Sequence, residues 1–174
     1  MVAEPEAIVR LTRLRAELSV DCAAMNARVA EVVQLMDSWD KASSLGRPEL
    51  VLLAVNLHGW YTALETALER VARLLDHSAP EGGSWHVDLL AQMKLDVPGV
   101  RPAVVPEIAT QGLHEFRKFR HFFRNAYVLN LDPLQVRLRA DDLLRVADPV
   151  ADALSGLQAH VAATLAELTG ITRS

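Results

Sequence analysis

From Ile8 to Trp39 the apolar residues Ile8, Leu11, Leu14, Leu18, Cys22, Met25, Val29, Val32, Met36 and Trp39 follow one another at steps of three or four. Such steps return to one face of an α-helix, whereas a half-buried strand needs strict alternation. A helix of roughly thirty residues runs about 45 Å, too far for its stripe to be covered by one short partner. A second long helix must lie along it, and Leu50, Leu53, Leu57, Trp60, Leu64, Leu68, Val71 and Leu75 repeat the same spacing.

The punctuation between these stripes sets the organisation. Ser43, Ser44 and Gly46 mark a loop over 41–47, and Pro48 suits the first turn of the second helix. That helix is expected to end near Asp76, because Ala79, Pro80, Glu81, Gly82 and Gly83 cannot continue it. Ser84 can cap a short third helix through Met93, followed by a loop with Pro98, Gly99, Pro102 and Pro106. A fourth helix is expected from about Pro106 to Leu129. After Asp132 and Pro133 a short connection or an extra turn is expected, and then a final helix from about Ala140 to Thr169 with Gly170 as its stop. No alternation of strand length and no tandem repeat interrupts this pattern. The expectation is an all-α fold, an antiparallel bundle of four main helices plus a short crossing helix, forming a single domain over 1–174.

The formal net charge of −4 gives no general attraction for nucleic acid, so any contact with RNA has to be local. Cys22 is the only cysteine, which excludes an intramolecular disulfide and a cysteine-based metal centre. His58, His77, His86, His114, His121 and His160 lack the paired spacing of a zinc motif, so neither a metal nor another cofactor is expected. Glu4, Glu6, Arg10, Arg13 and Arg15 break up the first fifteen residues, unlike the apolar core of a secretion signal. No stretch approaches the apolar length of a membrane span. A cytoplasmic location without a membrane partner is the resulting expectation.

One segment differs from the rest. Between Leu113 and Tyr127 lie Arg117, Lys118, Arg120 and Arg124 with His114 and His121, opposed only by Glu115, and all four phenylalanines of the chain. On a helix Arg117, His121, Arg124 and Asn125 share a face, and Arg120, Arg124 and Tyr127 share the adjoining one. Cleavage of RNA by its own 2′-hydroxyl needs a base, an acid and a cation for the charge gathering on the phosphoryl oxygens. Histidine exchanges protons near neutrality and arginine clamps phosphate through two N–H groups, so this segment holds the required side-chain types. The plainer reading of each residue is a solvated or internally paired cation, a histidine at the edge of the core, and phenylalanines in the core.

The run Phe119-Arg120-His121-Phe122-Phe123-Arg124-Asn125-Ala126-Tyr127 resembles the signature helix of HEPN-domain HepT-like toxins, whose pattern is Arg, four residues, His, one residue, Tyr. Residues 61–70, Gly83-Ser84-Trp85-His86 with Leu89-Leu90, and Arg101-Pro102 also resemble parts of such proteins, so the likeness spans roughly 48–132. Arg120 and Tyr127 fall on the family's arginine and tyrosine, while Asn125 occupies its histidine position. Asparagine cannot exchange a proton near pH 7. The chain is therefore an inactive member, or takes its imidazole from His121 one turn back, or relies on its arginines alone.

The resemblance implies a metal-independent endoribonuclease with Arg120, His121 and Asn125 at the catalytic position, and with Arg117, Lys118 and Arg124 holding phosphate. It implies a homodimer that joins two signature helices in one cleft. It also implies an MNT-type nucleotidyltransferase antitoxin that attaches adenylyl groups to Tyr127. The alternative is a non-catalytic substrate-binding subunit of a separate nucleotidyltransferase, for which the absent histidine is expected. Trp85 and His86 read as a packing aromatic and a capping or exposed histidine, and Asn56 as a hydrogen-bonding interruption of the second stripe.

Overall fold

The computed structural model describes residues 5–125 and 131–170, the side chains of Arg124 and Asn125 excepted. Helix α1 spans Pro5–Ala42, α2 Arg47–Leu74, α3 Trp85–Met93, α4 Thr110–Asn125 and α5 Pro133–Thr169, with a 3-10 turn at Glu107–Ala109 leading into α4. The chain is an all-α bundle. Among the described residues the only β pairing is one isolated bridge between Val97 and Arg101. No described helix is long and apolar enough to cross a membrane.

Contacts between distant residues fix the directions. Arg28 meets Asn56 and Arg70 meets Asp21, so α2 runs antiparallel to α1. Arg137 meets Asp40 and Gln158 meets Ser19, so α5 also runs against α1. Helix α4 closes the ring against α5: Val146 lies opposite Gly112 and Arg139 opposite Glu115. The core is what the two long stripes lead one to expect, with Leu14, Leu18, Leu53, Leu57, Leu64 and Leu68 fully enclosed. Each such side chain contributes about 1.5–3 kcal/mol by leaving water.

The final helix begins at Pro133 and not near Ala140. Asp132 is its N-cap, accepting from the Leu134 N–H at 2.9 Å, and Pro133 takes the first position, where a missing N–H costs nothing. Aspartate followed by proline is thus a helix start here rather than a connection. Gly170 ends the helix at φ 70°, a conformation that suits glycine. The added turns carry Gln135, Val136 and Arg139 alongside α4, where with Phe119 and Phe122 they line a groove of about 490 Å³.

Candidate functional site

Helix α4 is fastened to the bundle through Phe116, which is fully buried between Trp60 and Tyr61, and through Phe123, whose ring stacks on His58 at 4.8 Å. Phe119 is buried as well, whereas Phe122 is half exposed and faces the groove toward α5. The phenylalanines thus fix which side of α4 turns inward. Arg120, one residue past Phe119, is carried toward α2 and α3 rather than toward solvent.

There Arg120 meets a buried carboxylate. Its Nε lies 2.8 Å from Oε2 of Glu65 on α2, and the other oxygen, Oε1, lies 2.5 Å from Nδ1 of His86 on α3. The far side of the imidazole closes the triangle, Nε2 standing 3.4 Å from Arg120 Nη1. The three side chains are 15%, 6% and 20% exposed respectively, so these charges interact with little screening by water. The indole of Trp85 lies over the imidazole with ring centroids 3.5 Å apart. Tyr61, one turn before Glu65, has its hydroxyl buried beside the same carboxylate. Burial, and after it the negative charge of Glu65, push that hydroxyl far above the usual phenolic range against the lowering effect of Arg120 and Arg117.

The remaining members of the cationic segment are dispersed around the helix. Arg117 is half-buried on the Tyr61 side, and its buried Nε makes no hydrogen bond to a described residue. Lys118 sits about 160° around α4 from Arg120. It is exposed and donates to Glu115 at 2.8 Å. That hydrogen bond, with the charges of Lys118 and Arg139, holds the Glu115 carboxyl below its ordinary range despite partial burial. His121 is exposed. The side chains of Arg124 and Asn125, and the whole of Tyr127, lie outside the described residues. The two arginines nearest Tyr61 and Glu65 thus face inward, while Lys118 belongs to the opposite groove and does not join them.

Glu65 and His86 are the site residues that sequence reasoning missed. Glu65 carried a readable signal, since it falls four residues after Tyr61 and three before Leu68, in register with the buried stripe. A carboxylate in that position needs a cation to offset its desolvation. For His86 the only signal was the resemblance of the Gly83-Ser84-Trp85-His86 block, because its partners are on other helices. Asn56 is buried and accepts from Arg28 of α1 at 3.1 Å, across the bundle as expected.

Among the described residues no group of three or more His, Cys, Asp or Glu side chains is arranged to hold a metal ion. What the arrangement provides is a fixed guanidinium with a buried carboxylate and an imidazole behind it. Arg120 meets these partners through Nη1 and Nε.

The family model of HepT-like proteins matches residues 52–161, a span that takes in Glu65, His86 and Arg120. No curated protein and no solved structure matches the chain.

Proposed function

The chain belongs to the HepT-like family, and on that premise we propose that it is the ribonuclease toxin of a toxin–antitoxin pair, acting on RNA without a metal ion. The observation that carries the reading is the buried Glu65–His86 support behind Arg120. A solvated cation has no need of such a scaffold, whereas a cation that must meet a pentacoordinate phosphate gains from being held in place before the reaction.

In this reading the RNA 2′-hydroxyl gives its proton to His121 and its oxygen bonds to phosphorus. The bond from phosphorus to the 5′-oxygen breaks, and that oxygen leaves with a proton returned by the imidazolium. The products are a 2′,3′-cyclic phosphate and a 5′-hydroxyl. Arg120 carries the charge that builds on the phosphoryl oxygens, Arg117 and Arg124 hold neighbouring phosphates, and the Asn125 amide donates a hydrogen bond without exchanging a proton. Two copies bring their signature helices together into one cleft. A nucleotidyltransferase antitoxin silences the cleft by adenylylating Tyr127, which places a bulky anion where RNA phosphate would bind.

The test is expression of the native chain beside Arg120→Ala, His121→Ala and Asn125→His, with growth and RNA integrity followed in the presence and absence of a chelator. Cleavage by the native chain should persist with chelator and fall by about 10²–10⁴-fold in His121→Ala. If neither the native chain nor Asn125→His cuts RNA, the ribonuclease reading is wrong. A second reading then takes over, that of a non-catalytic substrate-binding subunit for a nucleotidyltransferase. One observation favours it, Asn125 at the signature position. Intact mass after co-expression with a nucleotidyltransferase should show an adenylyl adduct that Tyr127→Phe lacks.

A further inference from the structure

His86 stands between a carboxylate and a guanidinium, and those neighbours dictate where its proton lies. A guanidinium has only donors, so Nε2, facing Arg120 Nη1 at 3.4 Å, has to present its lone pair. Nδ1 stands 2.5 Å from Glu65 Oε1, so a proton on that nitrogen faces the carboxylate. The neutral tautomer with its proton on Nδ1 fits both neighbours, and Glu65 stands between the imidazole and Arg120 Nε. Three elements contribute one side chain each, α2, α3 and α4, and Trp85 covers the imidazole face.

We propose that Glu65 and His86 are positioning residues of the ribonucleolytic site, clamping Arg120 from two sides so that its remaining N–H edge is set for a phosphoryl oxygen, and that protonation of His86 releases the clamp. This inference rests on the ribonuclease reading for its effect on rate, while the clamp itself is a property of the folded chain. A second proton on His86 would point an N–H at the N–H groups of Arg120 and place two positive charges side by side. Glu65 would be drawn to the imidazolium and Arg120 would leave its place. The charged groups that decide this are Glu65 from α2 and Arg120 from α4, with Tyr61 of α2 and Arg117 of α4 standing around the same carboxylate. Activity should consequently fall toward acid pH as His86 takes up its second proton.

Two measurements test it. Nitrogen-15 NMR of the intact protein reads the tautomer directly, and the expected result is a neutral His86 with its proton on Nδ1 and an Arg120 Nε–H whose exchange with solvent slows as pH rises through the His86 titration. The pH dependence of RNA cleavage is then compared between the native chain and His86→Gln, whose amide oxygen can accept from Arg120 but cannot titrate. The native acid limb should be the steeper of the two, by one proton. His86→Ala and Glu65→Gln, which let the guanidinium drift, should lose on the order of 10²-fold at every pH, as expected for a misplacement of about 1 Å. A proton found on Nε2, or an acid limb in His86→Gln unchanged from that of the native chain, overturns the clamp. Absence of cleavage by both the native chain and Asn125→His removes the proposed function instead, and the NMR result still decides whether His86 holds Arg120.

Discussion

Arg101 has no exposed side-chain surface, and its charge is met by Asp76 through two parallel contacts of 2.7 Å, with the carbonyls of Gln92, Leu95 and Pro102 taking further N–H groups. Burial by itself would raise the Asp76 carboxyl, but hydrogen bonds from Arg101 and Gln92 and the charge of Arg101 together hold it below its ordinary range. A carboxyl lowered in the folded state stabilises above its unfolded pKa, about 4, and that stability is lost as pH falls through the folded value. Asp76→Asn should therefore flatten the acid limb of the stability curve below about pH 4. Arg101→Leu, which strands Asp76, should cost about 3–5 kcal/mol in urea unfolding. The fully buried arginine was invisible in the sequence, where Arg101 is one cation in a proline-rich loop. Glu65 was more accessible, since its register alone places a carboxylate among Tyr61, Leu64 and Leu68.

At the scale of the element, α4 and α5 pack tightly at Gly112. A Cβ there would come within 2.9 Å of Val146 Cγ1, which belongs to a fully buried, β-branched side chain with little freedom to move. Gly112→Leu should separate the two helices and destabilise the fold by about 1–3 kcal/mol, read as a lower urea midpoint, although leucine is the better helix former. The same pair of helices shows where the periodicity misleads. Helical spacing identified α5 but placed its start near Ala140, although Val136, four residues earlier, continues the buried stripe. The local signal at Asp132 and Pro133 was a cap and a first turn. The earlier start supplies Gln135, Val136 and Arg139 to the groove beside the signature helix.

At the scale of the whole molecule, bringing two copies together along α4 would set arginines against arginines. Pairing of Arg120 with Glu65, and of Lys118 and Arg139 with Glu115, offsets much of that repulsion within each copy. Phe122 stays 51% exposed on the groove side of α4, an apolar ring available to a partner. Light scattering at micromolar concentration should give a dimer, and Phe122→Asp should give a folded monomer with weakened RNA cleavage. A native monomer would remove the shared cleft. What the sequence determined by itself was the helical class, the two long stripes, and the helix that carries Arg120, because helical order is set by neighbours three and four residues apart. Only the tertiary structure decided that Glu65, His86 and Arg120 converge and that Lys118 turns away from them. Those placements depend on which faces the closed bundle presses together, and no periodicity along the chain encodes a meeting between helices 34 residues apart in sequence.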